Sequence, residues 1–340
     1  MEEHNIEGRK FQMTSKDFIH VRNLVKHFPI YTRGVLAKRQ VGKVHAVDDV
    51  SFDINKQETF ALVGESGCGK TTTARVILNL IEPTSGEVII DGENIFDKFN
   101  SADTKGKLRI RRKMQMIFQN PYGSLDPRMT IYDIISEPFS IHRHIPKEKW
   151  KDRVYELLKL VGLEEYHAER YPHEFSGGQR QRICIARALA VEPEFIVADE
   201  PVSSLDVSIR AQILNLLGDL QRTMGLSFLY ISHDLSSVRQ VSQRVGVMYL
   251  GEIAELADTD ELFNHPMHPY TQALIEAVPI PDPQIKNFKA GLKGEVPSPI
   301  TPPSGCRFRS RCPRAKAACA EKKPDFNEVR EGHFVSCIEP

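Results

Sequence analysis

The stretch Gly64-Glu65-Ser66-Gly67-Cys68-Gly69-Lys70-Thr71 decides the fold. It matches the spacing G-x-x-x-x-G-K-[ST], which carries phosphate when a strand precedes it and a helix follows. Here an apolar run, Phe60-Ala-Leu-Val63, comes before, and a helical pattern from Thr71 to Leu80 comes after. Glycines let backbone N–H groups turn toward phosphate oxygens, and a helix N-terminus adds partial positive charge. The phosphate cradle is therefore read as Gly64, Glu65, Ser66, Gly67, Cys68, Gly69, Lys70, Thr71 and Thr72. Lys70 reaches the β- and γ-phosphates of a nucleotide such as ATP, and Thr71 ligates Mg²⁺.

Working outward, two more runs look like buried parallel strands: Phe195-Ile-Val-Ala198 and Leu226-Ser-Phe-Leu-Tyr-Ile231. Helical patterns lie between them, as from Ile209 to Arg222, so the domain is α/β. The stretch from Ile131 to Tyr171 has helical spacing and no strand-like run, and reads as a helical insertion. Asp199 and Glu200 end the second run. Acids there are costly unless they meet a cation or do chemistry. Asp199 suits Mg²⁺, and Glu200 suits the base that orients attacking water. Taken alone, the pair also fits the start of a solvated loop. A further turn, Ser176-Gly177-Gly178-Gln179, opens a helix and offers backbone to phosphate, or simply an N-cap.

Composition narrows the function classes. Lys+Arg and Asp+Glu both total 45, so no global basic footprint points to nucleic acid. No apolar run approaches the ~20 residues that span a bilayer. Residues 1–16 are polar and do not resemble a signal peptide, which predicts a cytosolic chain. Six of the nine residues from Lys105 to Lys113 are Lys or Arg. That run reads first as a solvated face, and second as a contact with anionic headgroups.

The order of 64–71, Gln119, 176–179, 199–200, Ser204-Leu-Asp206 and His233 resembles the nucleotide-binding domain of ABC ATPases, over about residues 17–265. The resemblance implies an ABC-type P-loop NTPase fold: a RecA-like core, an antiparallel β subdomain and a helical subdomain at about 120–180. It also implies roles. Gln119 touches Mg²⁺ and the attacking water, His233 senses the γ-phosphate, and Asp206 lies at a dimer interface. Ser176 to Gln179 caps ATP held by a second ATPase subunit. The family stacks adenine on an aromatic residue before the glycine loop; Phe28 aligns best, with Tyr31 and His45 as alternatives around an inserted segment from Pro29 to Val44.

Beyond residue 265 the composition changes. Seven prolines fall between Pro279 and Pro303, which predicts an extended connector. Four of the chain's six cysteines follow: Cys306, Cys312, Cys319 and Cys337. Their spacing is not that of a zinc ribbon, and four thiolates suit tetrahedral zinc or an iron–sulfur cluster. Residues 265–340, including Ala277-Val-Pro-Ile-Pro-Asp-Pro283 and Gly294-Glu-Val-Pro-Ser-Pro299, resemble the C-terminal region of oligopeptide and dipeptide permease ATPases, most of all the F-type subunit. That resemblance implies a small C-terminal cysteine-rich extension over 266–340 that binds a [4Fe–4S] cluster. Arg307, Arg309, Arg311 and Arg314 are read as offsetting the cluster's charge. Cys68 and Cys184 are read as packing residues. The implied partners are a D-type ATPase homologue forming a heterodimer, two transmembrane permease subunits and an extracytoplasmic peptide-binding protein, with the chain on the cytoplasmic face of the membrane. Related ATPases serve nickel importers, and soluble ABC ATPases act on nucleic acid; these are the alternatives.

Overall fold

The three apolar runs form neighbouring parallel strands at the centre of one sheet. In the computed structural model, residues 17–33, 38–278 and 294–340 are described. The polar segment 1–16 and the Pro-Ile-Pro-Asp-Pro part of the connector lie outside them. Strands are numbered β1 (Asp17–Arg33), β2 (Lys38–Asn55), β3 (Thr59–Val63), β4 (Ser85–Ile90), β5 (Glu93–Asn94), β6 (Met114–Ile117), β7 (Phe195–Asp199), β8 (Ser227–Ser232), β9 (Arg244–Tyr249), β10 (Glu252–Asp258), β11 (Asn327–Arg330) and β12 (His333–Val335). The larger sheet has the order β11-β12-β10-β9-β3-β8-β7-β6. Its pairs from β9 through β6 are parallel.

All five residues of β3 and of β7 are buried, and so are all six of β8. Covered on both faces, these strands are continuously apolar rather than alternating. Each large side chain fully buried there stabilises the fold by about 1.5–3 kcal/mol. The loops that follow β3, β6, β7 and β8 leave from the carboxyl ends of the strands, where open α/β sheets bind ligands.

A second sheet, ordered β2-β1-β4-β5, is antiparallel. The segment from Pro29 to Val44 is not a loose insertion: its described residues lengthen the β1–β2 hairpin, with Phe28 opposite Val44 and Ile30 opposite Gly42. Between β6 and β7 the chain is helical, with helices Ile131–His142, Trp150–Leu160 and Gly177–Leu189. Buried Ile131, Ile135, Phe139, Leu157, Leu158 and Ile183 join them in one core. The basic run lies on helix Thr104–Lys113, where Arg112 bonds Glu192, Lys113 bonds Asp91, and Lys107 and Arg111 sit over Phe99. It is a solvated face stitched to its own domain. No described helix is long and apolar enough to cross a membrane.

The cysteine-rich end is not a separate lobe. β12 pairs antiparallel with β10, and β11 with β12, so the C-terminal residues extend the main sheet at one edge. His333 fixes this junction. It is fully buried, with Nε2 at 2.7 Å from Glu255 and Nδ1 at 3.3 Å from Glu261. The buried Glu255 also accepts from the backbone of Met267 at 2.7 Å and His268 at 2.9 Å.

Candidate active site

The glycine loop is shaped by backbone needs. Gly64, Gly67 and Gly69 all have positive φ, which side-chain-bearing residues rarely adopt. A Cβ on Gly64 would lie 2.1 Å from the Met248 carbonyl oxygen, and one on Gly69 would lie 2.2 Å from that of Ala46. The loop is thus pressed against β9 on one side and the middle of β2 on the other. Lys70 opens helix Lys70–Ile77 and is buried. Its ammonium donates to the carbonyls of Gly64 at 2.7 Å and Glu65 at 3.0 Å.

The structure gathers the other motifs around this loop. Thr71 Oγ1 donates to Asp199 Oδ1 at 2.9 Å, joining the two residues expected to hold Mg²⁺. Burial raises the Asp199 carboxyl above its ordinary range; the charge of Glu200 adds to this, and the Thr71 hydroxyl opposes it. A buried carboxylate in that condition is relieved by a cation. The donor set therefore fits a divalent ion.

Glu200 is held from two sides. Gln119 Nε2 donates to its Oε2 at 2.8 Å, and His233 Nδ1 lies 3.1 Å from its Oε1. Its backbone has φ +47, in the left-handed region, and its N–H donates to Ile231 in β8. Such a conformation costs about 1–2 kcal/mol in a residue other than glycine. The Gln119 amide thus engages Glu200 rather than Thr71 or Asp199.

Ser176 caps helix Gly177–Leu189 in a capping box: its Oγ accepts from Gln179 N at 3.3 Å, and Gln179 Oε1 accepts from Ser176 N at 3.0 Å. Ser176 is exposed. Among the described residues, no hydrogen bond or ion pair joins this turn to the chain's own glycine loop. Gly178 packs against Ile209, where a Cβ would lie 2.3 Å from Cγ2. Asp206 is exposed and caps helix Val207–Met224, accepting from Ile209 N at 3.0 Å. That backbone bond, with the Ser208 hydroxyl, holds its carboxyl low.

Phe28 is half-buried on β1, with the Lys26 ammonium 5.0 Å from its ring centroid. Tyr31 lies farther along the hairpin and is exposed. His45 has other partners: its ring lies tilted against that of His27, with centroids 4.3 Å apart, and both rings bond Asp48 at 2.8 Å. Burial opposes ionisation of Asp48, but His45, His27 and Arg307 outweigh it and hold the carboxyl far below its usual range.

Cys68 and Cys184 are buried, as packing residues should be. The four C-terminal cysteines are free and half-buried. Burial pushes the Cys306 thiol up to about 11, and the neighbouring thiols of Cys319, Cys337 and Cys312 add to that. Among the described residues, the only three metal-ligating groups within 4.8 Å of one another are His27, His45 and Asp48. No three of the thiols therefore lie that close together.

Two of the arginines correct an expectation, while the charge of Arg314 does favour the Cys337 thiolate. Arg307 and Arg311 do not serve the cysteines. Arg307 pairs with Asp48 and Glu252, and Arg311 forks onto Glu65 with contacts of 2.6 and 3.0 Å. Arg309 bonds Ser304, and Arg314 bonds the Met267 carbonyl. Sequence reasoning had also missed Tyr270, a buried residue whose hydroxyl accepts from Glu65 N at 2.8 Å. The only signal for it was an aromatic residue following His268-Pro269.

Known proteins resemble this chain over most of its length. Residues 47–203 match the family described as ABC transporter, and residues 254–319 match the oligopeptide/dipeptide transporter C-terminal region. The chain is 50% identical to oligopeptide transport ATP-binding protein AppF of Bacillus subtilis, over 94% of this chain and 96% of that one. It is 53% identical to the putative oligopeptide transport ATP-binding protein YkfD of the same organism, over 86% and 89%. Among solved structures, the dimeric post-hydrolysis state of the ATP-binding cassette MJ0796, bound to ADP and Pi, aligns with a TM-score of 0.61 at 30% identity, covering 71% of this chain and 98% of that one. With its glycine loop, acidic strand end and C-terminal region all accounted for, the chain belongs to the ABC transporter ATPases, in the family of the oligopeptide transport ATP-binding proteins.

Proposed function

We propose that this chain hydrolyses ATP to drive import of oligopeptides, with Glu200 as the base. One observation carries the assignment of the base. Glu200 sits in a left-handed backbone position at the end of β7, clamped by Gln119 and His233 beside the Thr71–Asp199 pair. Glu200 orients the attacking water and accepts its proton. Gln119 and His233 set the direction of the carboxylate, and His233 also faces the γ-phosphate. Lys70 and the backbone of the 64–71 loop bind the β- and γ-phosphates and stabilise charge there. Thr71 and Asp199 hold Mg²⁺, which neutralises phosphate charge when bound. Phe28 is the adenine platform we favour, because His45 is already bonded to Asp48.

Ser176, exposed and separate from the chain's own glycine loop, serves a second ATPase subunit in trans, and Asp206 lies at the same junction. ATP-driven closure of the two subunits then moves two permease subunits. The second ATPase is read as a D-type homologue and the substrate as delivered by an extracytoplasmic peptide-binding protein. The chain acts on the cytoplasmic face of the membrane, with 17–265 as the ATPase unit and 266–340 as the extension. The four free cysteines are read as the ligands of a [4Fe–4S] cluster, on the resemblance of this C-terminal region to that of the permease ATPases.

Glu200→Gln in the assembled transporter tests the central claim. ATP turnover should fall by about 100-fold or more while ATP binding remains. Unchanged turnover would remove Glu200 from the role of base.

A further inference from the structure

We infer that Arg311 and Tyr270, both outside the ATPase motifs, are positioning residues for the nucleotide loop. Through them the C-terminal segment sets how tightly a nucleoside triphosphate is held. The inference rests on the reading of the 64–71 loop as the phosphate site.

Glu65 is an acid inside a loop built to receive an anion. A carboxylate facing a triphosphate would repel it. In this fold Glu65 is turned away. The Arg311 guanidinium takes both of its oxygens, at 2.6 and 3.0 Å, in the paired geometry that arginine alone provides. The Arg311 side chain is 4% exposed, so solvent screens this pair little. The Glu65 backbone N–H is fixed separately, by the Tyr270 hydroxyl at 2.8 Å.

Both anchors are themselves braced. Tyr270, Tyr249 and Phe308 pack ring against ring, with centroids 4.7 to 5.4 Å apart. Arg311 lies over the Tyr249 ring at 5.9 Å. Phe308 and Arg311 belong to the turn between Cys306 and Cys312, and the Cys306 N–H donates to the Cys319 carbonyl at 2.8 Å. The cysteine-bearing segment is therefore the back wall of the phosphate loop, and its arginine neutralises the one acid that the loop contains.

The test measures Mg-ATP affinity by titration calorimetry on the 340-residue chain, in a Glu200→Gln background that stops turnover. Arg311→Ala should raise Kd by about tenfold or more. Adding Glu65→Gln should return Kd to within about threefold of the parent, because the repelling charge is then gone. A general loosening of the fold would not be rescued that way. Arg311→Lys keeps the charge but loses the fork, and should show an intermediate loss; it also serves if the alanine variant does not fold. Tyr270→Phe should weaken binding without rescue by Glu65→Gln. An Arg311→Ala Kd within twofold of the parent, or a loss that Glu65→Gln leaves untouched, overturns the inference. Lys70→Ala separates the two levels. If it binds ATP as tightly as the parent, the site assignment itself fails; if it loses ATP while Arg311→Ala does not, only the positioning role fails.

Discussion

Two histidines near the start of the C-terminal extension and near its end respond to pH in opposite senses. His268 is buried and caps helix Pro269–Glu276 with Nδ1, which accepts from Tyr270 N at 3.0 Å. Burial depresses it to about 4. The unfolded chain therefore binds a proton from about pH 6.5 downward while the folded chain refuses it, and stability falls as pH drops from about 6.5 to 4. The full effect is on the order of 3 kcal/mol. His333 is also buried, but bonds to Glu255 and Glu261 outweigh burial and raise it. Its contribution is complete below its unfolded value and fades as pH rises through its folded one. We predict that His268→Asn, which keeps a capping oxygen, flattens the acid limb of a urea-unfolding stability profile by about 3 kcal/mol. An unchanged acid limb would mean that other groups dominate it. Such effects were hidden in the sequence, since a histidine before proline gives no sign of its burial.

At the scale of elements, the legible parts were those with local signals. The glycine loop sits between its strand and helix as expected, because both contexts are contiguous in the chain. The helical stretch between β6 and β7 was readable from spacing. The lengthened β1–β2 hairpin was not, because the residues around Pro29 gave no reason to expect continued pairing with Val44 and its neighbours. Helix–helix fit was also out of reach. Gly178 of helix Gly177–Leu189 meets Ile209 of helix Val207–Met224 so closely that a Cβ would lie 2.3 Å from Cγ2. Overpacking of this kind costs about 1–3 kcal/mol. Gly178→Ala should therefore destabilise the chain by that amount in urea unfolding, and by clearly less when combined with Ile209→Ala. Additive losses would show that the two helices do not meet there.

For the whole molecule, the motif series was enough to identify an ABC ATPase, and the last 75 residues were enough to identify its branch. What no local pattern revealed is that these two regions are one structure. The pairs that join them, Arg311–Glu65 and Arg307–Asp48, are 246 and 259 residues apart, with no periodicity to announce them. At this scale the exposed Ser176 turn predicts association. With Mg-ATP, the Glu200→Gln chain mixed with the D-type ATPase proposed as its partner should sediment as a dimer, and Ser176→Arg should keep it monomeric. A dimer that survives Ser176→Arg would place the contact elsewhere.

The distance between Glu65 and Arg311 also has a meaning in time. Translation runs at ~5–20 residues per second, so 246 residues separate the two by on the order of ten to fifty seconds on the ribosome. Throughout that interval the acid of the loop lacks its arginine, and the loop itself gains its walls only once β8 and Met248 of β9 have been made. The arginine arrives only after the entire ATPase region has been made. On the role proposed for Arg311, full affinity for ATP waits until synthesis is nearly done, and a chain cut short before residue 311 should bind ATP more weakly than the whole chain.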